Sequence, residues 1–311
     1  MNYPNFFNSK KSLNLFGLQE NLKFLTNLYL YKKLPKVLMF SGNKGSGKST
    51  LINHFLFSIF DTENYNNEKC ILTNSSYFLK QFQDNVFPNI IYVKGDDFKS
   101  IKIDDIRDLK TKIYQSTFLN KDRFIILDDV ELFNPNTLNA LLKIIEEPAK
   151  NNYFFLINNK SRPLLDTIKS RALEIKIILK EEQRLEIIEN LKNLFKIDLN
   201  LDPSSTQLTP GNFIKFNFIF EEHNISLNRN FVENLTLLLN LYKKNKNILF
   251  INLAFFIADY YFRQLKANKT FNNNKIYEIR NYVFTNLNNF MLYNINQNTL
   301  INVVNTKLNY E

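Results

Sequence analysis

Cysteine, histidine and glycine are scarce in this chain: one, two and six residues among 311. The single cysteine, Cys70, excludes an intramolecular disulfide and any multi-cysteine zinc site. It fits a reduced, cytoplasmic setting. With no triad context it reads as an inert thiol rather than a nucleophile. His54 and His223 have no second His or Cys at ligand spacing, so no metal centre of that kind is expected. A long hydrophobic run is also lacking. The most apolar stretch, Ile248 to Phe262, is broken by Asn252 and Asp259. It reads as a buried helix too short to cross a bilayer. The opening MNYPNFFNSKKSLNLFG has no apolar core followed by small residues, so neither a signal peptide nor a membrane partner is expected.

What is present is ordinary in bulk, with 44% apolar and 23% charged residues, which is typical of a globular chain. The length accommodates two or three domains, with ample material for a core. Lys and Arg number 40 against 30 Asp and Glu, a net charge of +10. Such an excess points to a polyanion such as nucleic acid. The wealth of Lys, Asn, Ile, Phe and Tyr, all with AT-rich codons, offers genome composition as a second source of it. The 30 Phe and 15 Tyr can stack on bases, but core packing accounts for them as well.

One stretch carries chemistry by itself. GNKGSGKST, Gly42 to Thr50, fits G-x-x-x-x-G-K-[ST] at Gly42, Gly47, Lys48 and Ser49. In such a loop the backbone N–H groups of Asn43, Lys44, Gly45, Ser46 and Thr50 close around phosphate oxygens. Lys48 reaches the terminal phosphates, and the Ser49 hydroxyl coordinates Mg²⁺. The context agrees. Val37-Leu38-Met39-Phe40 reads as a buried strand, and Leu51, Phe55, Leu56 and Ile59 recur at helical spacing. The helix then points its positive end at the anion.

Residues 1–178 alternate strand and helix patterns, which implies a parallel sheet covered by helices. Strands are expected at Ile90–Val93, Phe124–Leu127, Tyr153–Ile157 and Leu173–Ile178. Ile103, Ile106, Leu109 and Ile113 line one face of a helix, with Asp104 and Asp105 near its start. Asn134 caps a helix that Pro135 begins and Pro148 stops. After about Lys180 the strand signals fade. Glu181–Phe195 and Gly211–Phe220 read as helices, with a loop at 196–210. From Phe231 the pattern is that of a helical bundle, with a loop at Asn272–Asn274. The expected fold class is α/β: a P-loop sheet domain over 1–178, a small helical domain over 179–225 and an all-α domain over 226–311.

The strand Phe124–Leu127 delivers Asp128 to the carboxyl edge of the sheet beside the P-loop, where it can hold Mg²⁺ through water. Asp129 follows, where an ATPase of this class places a Glu to polarise the attacking water. Asp is one methylene shorter, and catalysis is sensitive to displacements of about 1 Å, so weak hydrolysis is expected.

Four segments then carry a family resemblance. NALLKIIEEP (Asn139–Pro148), TIKSRALEI (Thr167–Ile175), KIDDIRDL (Lys102–Leu109) and LPKVLMFSGNKGSGKST (Leu34–Thr50) resemble, in order and spacing, the bacterial AAA+ clamp-loader subunits. The resemblance covers the first 180 residues or so, and the remainder only by helical character. It implies ATP and Mg²⁺ as ligands. It places Asn158 or Asn159 at sensor 1, where a polar side chain feels the γ-phosphate; a polar strand end is the plain alternative. It places Arg171 on the arginine finger that enters a neighbouring subunit's ATP site; a surface arginine capping a helix is the plain alternative. Guanidinium suits that task because it is always charged and donates in a fixed fork. The family's cysteine after this arginine is Ala172. The four-cysteine zinc module of many relatives is missing, so 61–89 must fold without metal.

Hydrolysing members carry a sensor-2 arginine in a G-S-x-R-like segment. Here that segment reads Leu208-Thr209-Pro210-Gly211-Asn212, with Gly211 in the arginine's place. This resembles the delta-prime branch of the DNA polymerase III clamp loader rather than gamma/tau. The resemblance implies a replication protein that holds ATP·Mg²⁺ with weak or no hydrolysis of its own and donates Arg171 in trans. Its partners would be gamma/tau and delta subunits in a hetero-oligomer, primed DNA and, indirectly, the sliding clamp, with residues 179–225 as lid and 226–311 as collar. Two alternatives stay open. One is a hydrolysing gamma/tau-type subunit, for which Arg184 would serve as sensor 2. The other is a homo-oligomeric AAA+ DNA motor.

Overall fold

The computed structural model describes residue 4 and residues 7–73, 76–95, 109–111, 113, 121–227, 229–267, 273–293 and 295–309. The chain divides into two compact units, 1–215 and 216–311.

The first unit is built on five strands: β1 (Val37–Ser41), β2 (Ile90–Lys94), β3 (Arg123–Asp128), β4 (Asn152–Asn158) and β5 (Leu173–Lys176). They lie in the order β2-β3-β4-β1-β5, and every neighbouring pair is parallel. A parallel sheet carries helices on both faces, so its inner strands must be apolar on both. β1 and β3 are buried along their whole length, and β4 is buried except at Tyr153. The two-residue side-chain period divides their residues. Leu38, Phe40, Phe124, Ile126, Phe155 and Ile157 face α1 (Gln19–Leu30), α2 (Lys48–Phe60) and α3 (Tyr77–Gln83). Val37, Met39, Ile125, Leu127, Phe154 and Leu156 face α4 (Pro135–Glu146).

α4 has the expected cap: Asn134 Oδ1 accepts from the Thr137 N–H at 2.8 Å, with Pro135 at the first helical position. A single turn, α5 (Asp166–Lys169), leads into β5. Leu109 and Ile113 are buried on the α4 face. Their expected companions Ile103 and Ile106, with Asp104, Asp105 and the rest of Lys102–Asp108, lie outside the described residues. Within 61–89, Tyr65–Asn66 pairs with Ile71–Leu72 and α3 follows. Rings fill the space beneath: Phe78 packs on Phe87 at 4.7 Å and Phe57 on Phe82 at 5.3 Å between centroids, both edge to face. These phenylalanines are core residues, not a base-stacking surface.

α6 (Glu181–Phe195) belongs to the first unit, and α7 (Pro210–Glu222) runs through the division point. The second unit continues with α8 (Phe231–Asn245), α9 (Ile248–Ala267), α10 (Asn273–Tyr293) and α11 (Gln297–Asn309). Two expectations need correction. Asn273 and Asn274 open α10 instead of forming a loop, while Asn272 lies outside the described residues. α9 is 20 residues long, so length does not bar it from a bilayer. Its packing describes it better. Phe250, Ile251, Leu253, Ala254, Ile257 and Phe262 are buried within the unit. Asp259, the polar break in the run, accepts from Arg263 and from Arg280 of α10, both at 2.7 Å. The fold class is the predicted one: an α/β parallel sheet with a P-loop, followed by helices.

Candidate functional site

In a parallel sheet, side chains at the carboxyl ends of the strands collect at one edge. Here β1, β2, β3 and β4 end in Ser41, Lys94, Asp128 and Asn158. The loop after β1 turns sharply. Gly45 and Gly47 have φ of 86° and 91°, which favours glycine. A Cβ on Gly45 would lie 2.5 Å from Thr209 Oγ1. Gly47 is the N-cap of α2, so the N–H groups of Lys48, Ser49 and Thr50 open that helix.

Lys44, Gly45, Ser46, Gly47, Lys48, Ser49, Thr50, Asp128, Asp129 and Asn159 line one pocket. Nearly all of the residues singled out from the P-loop and the β3 tip therefore meet. Gly42 and Asn43 sit behind them, their carbonyls accepting from Lys48 Nζ at 2.7 and 2.9 Å. Lys48 is buried, which pushes its ammonium down to about 8 despite the nearby Asp128, Glu131 and Asp129. Desolvation of a cation lowers its pKa when no partner fully compensates. Burial, and then Asp129, push the Asp128 carboxyl up. Tyr92 on β2 donates a hydrogen bond to Asp128 Oδ2 and works the other way.

Asp129 adopts the left-handed region, φ 53° and ψ 44°, which Asp tolerates better than most residues. Its buried carboxylate accepts from Asn159 Nδ2 at 2.6 Å and pairs with Lys44 Nζ at 3.3 Å. Of the two sensor-1 candidates, Asn159 thus reaches the pocket. The Asn158 side chain turns to the Lys160 N–H at 2.9 Å. Glu131, buried just after β3, holds the same loop: its Oε1 accepts from the Asn159 N–H at 3.0 Å and from Ser161 Oγ at 2.8 Å.

The pocket's other wall is apolar, with Leu15, Phe16, Leu18, Ile187 and Leu191. This set suits a nucleotide. Gly45 and Gly47 allow the sharp turn of the loop, Lys48 and three helix N–H groups offer donors, and Ser49 and Asp128 offer hard oxygens for Mg²⁺.

Arg171 is not among the pocket residues. It lies between α5 and the edge strand β5, 35% exposed, paired with Glu146 at the end of α4. Its Nη1 also donates to Thr167 O at 2.9 Å. Arg184 is also absent from the pocket lining. It is buried, bonded to Glu181 and to the carbonyls of Leu208 at 3.1 Å and Pro203 at 2.8 Å. Sequence reasoning missed Tyr92, Lys94, Glu131 and Lys215. For Lys94 a signal existed: it ends the strand beside β3.

Comparison with known proteins adds three findings. The family described as "DNA polymerase III, delta subunit" matches residues 17–181, more than half of the chain. "DNA polymerase III subunit delta'" of Buchnera aphidicola subsp. Schizaphis graminum (strain Sg) is 32% identical over 143 residues, 44% of this chain and 42% of that protein. "DNA polymerase III subunit gamma" of the same organism is 25% identical over 183 residues, 58% of this chain and 48% of that one. The chain thus spans under half the length of either relative. A solved "dna polymerase iii, gamma subunit-related protein" from Thermotoga maritima aligns over 92% of this chain and 98% of that one, at 17% identity and a TM-score of 0.47.

Proposed function

The chain belongs to the DNA polymerase III delta subunit family, and from that premise we propose that it is a delta-prime-like clamp-loader subunit that holds ATP·Mg²⁺ with little turnover and completes a neighbour's ATP site with Arg171. It works in the cytoplasm, in a hetero-oligomer with gamma/tau and delta subunits, helping to load the sliding clamp on primed DNA. Residues 179–225 form its lid and 226–311 its collar.

Relatives named delta' and gamma are both similar to the chain, so the choice between them rests on the site. The observation that carries it is an imbalance within one pocket. The phosphate cradle is complete, from Gly42 to Thr50. The hydrolytic end is not. Asp129, short for a base, is tied to Asn159 and Lys44. Gly211 offers no side chain where sensor 2 belongs. Arg184, the candidate that would favour a gamma/tau-type subunit, is engaged by Glu181 and two carbonyls instead. In the pocket Lys48 and the α2 N–H groups bind phosphate, Ser49 and Asp128 hold Mg²⁺, and Asn159 stands at sensor 1. A bound nucleotide would supply the anionic charge that these donors complement. Arg171, partly exposed beside an edge strand, is free to face another subunit once it leaves Glu146.

The test is Arg171→Ala in the reconstituted complex. Fingers of this type contribute on the order of a thousandfold to turnover, so clamp- and DNA-stimulated ATPase should fall by at least about a hundredfold at the site it completes. Wild-type ATPase in that complex would remove the finger assignment.

A further inference from the structure

The first turn of α7 is fastened to the P-loop. The Gly211 N–H donates to Gly45 O at 2.9 Å. Thr209 Oγ1 donates to Lys44 O at 2.6 Å, and Asn212 Nδ2 to the same oxygen at 3.2 Å. A Cβ on Gly211 would sit 3.0 Å from Gly45 O and 3.1 Å from Gly45 Cα. Glycine is what lets the helix approach this closely. Lys215 lies one helical turn further along the same face. The close approach brings it to the pocket wall, which it lines together with Lys44, Lys94 and Lys48.

Lys215 has peculiar company. Its Nζ lies 5.5 Å from the Phe7 ring centroid. Burial, and then the positive charges of Lys94 and Lys44, push its ammonium down to about 8. A half-buried lysine facing two like charges destabilises the protein on its own. A multivalent anion placed among these ammonium groups would offset both their burial and their mutual repulsion. Position within the pocket follows from the same neighbours. Lys44 pairs with Asp129 at 3.3 Å, and Lys94 lies in register with Asp128 on the neighbouring strand. Lys215 therefore addresses the Asp128–Asp129 end, where metal and terminal phosphate belong, and not the end walled by Leu18 and Ile187.

We propose that Lys215 binds the terminal phosphate of a nucleoside triphosphate, reaching it from α7 because Gly211, one turn earlier, has no side chain to offer. The inference rests on the nucleotide-holding function proposed above. It adds selectivity: a chain that hardly hydrolyses ATP still distinguishes triphosphate from diphosphate. It also adds a link, since the helix that carries Lys215 is bonded to the loop that holds the other phosphates.

The experiment is equilibrium binding of radiolabelled ATP and ADP, with Mg²⁺, to the full chain and to Lys215→Met, Lys215→Arg and Lys48→Ala. A charge-assisted hydrogen bond to phosphate predicts that Lys215→Met loses about tenfold in ATP affinity and less than about twofold in ADP affinity. Lys215→Arg should keep the preference for ATP. Equal losses for both nucleotides, or none, would overturn the assignment while Lys48-dependent binding upheld the nucleotide-holding function. A wild-type chain that bound neither nucleotide would overturn both. Lys215→Gln, which keeps a polar stem, replaces Lys215→Met if thermal melting shows the latter unfolded.

Discussion

Lys48 and Arg171 stand at two corners of one sheet, and their surroundings differ in kind. Lys48 is 3% exposed and folded onto the carbonyls of its own loop. Arg171 is about one-third exposed, on an edge, held by a single carboxylate and a helix carbonyl. The first arrangement is built around something the chain itself binds. The second is reversible at low cost, since an exposed ion pair contributes about 0–1 kcal/mol. A cation meant for another subunit's site has to be releasable, and one meant for its own site has to be fixed. Under the function proposed above, the two corners divide the work into holding and donating.

The sharpest way to break this division is to remove each cation in turn and measure nucleotide binding by the isolated chain. Lys48→Ala leaves the phosphates without their buried ammonium and should weaken ATP binding by about a hundredfold or more, as expected when a buried charge-assisted contact is lost. Arg171→Ala should move it by less than about twofold, because an exposed position away from the pocket carries no binding term. A comparable loss in both variants would erase the distinction between the corners.

Burial at the Lys48 corner extends along α2 and gives the next largest effect. His54 is fully buried, with Nδ1 at 3.0 Å from Tyr65 Oη and Nε2 at 3.2 Å from Ser12 O. Burial pushes its imidazole down to about 4. The folded state thus resists a proton that the unfolded state accepts near 6.5. The His54 contribution is unaffected above pH 6.5 and turns against folding as pH falls from there to 4. The loss should reach about 3 kcal/mol at pH 4. Chemical denaturation at pH 7 and pH 4.5, with His54→Gln as the control that flattens this limb, measures it. An identical pH dependence in the two proteins would show that His54 does not govern it.

Much of the holding corner was legible in the sequence. The P-loop, the Asp pair after β3 and the Asn134–Pro135 cap are all local signals, written in adjacent residues. What was not legible depends on neighbours far apart in the chain. Tyr92 matters because β2 lies beside β3, so a residue two positions before the strand end reaches Asp128. Lys215 matters because glycine at 211 lets α7 rest on Gly45. The choice between Asn158 and Asn159 depends on how the backbone leaves β4, through Lys160 at a φ of 57°, which no composition reveals. Around α9 the buried helix was legible, but the role of Asp259 was not, for a related reason. Asp259 read as an interruption of an apolar run, whereas it receives two arginines and ties α9 to α10.

A smaller effect sharpens the chemistry of the holding corner. With the Lys48 ammonium lowered to about 8, the free site loses charge as pH rises past that value, while bound phosphate favours the charged form. ATP affinity should hold steady from pH 7 to 8 and then fall by up to about tenfold per pH unit. Lys215, lowered to about the same value, steepens the fall for ATP. Binding isotherms between pH 7 and 9.5 show it. A flat profile would mean that the ammonium is not the group that reads the phosphates.

The smallest expected effect concerns the donating corner, and it is the one that bears on release. Glu146 is 43% exposed and pairs with Arg171 across the step between α4 and α5. If the pair only parks the arginine, Glu146→Ala should change stability by less than about 1 kcal/mol, because water replaces the carboxylate on both sides of the balance. In the assembled complex the same variant should leave ATPase equal to wild type or raise it slightly, since Arg171 no longer has to leave a partner before it reaches the neighbouring site. Thermal melting of the isolated chain and turnover by the complex read the two effects separately. A large loss of stability would make the pair a structural fastening. A large loss of ATPase with unchanged stability would mean that Glu146 orients the arginine for its neighbour instead of detaining it, and the contrast between a fixed and a releasable cation would then have to be redrawn as one between two fixed ones.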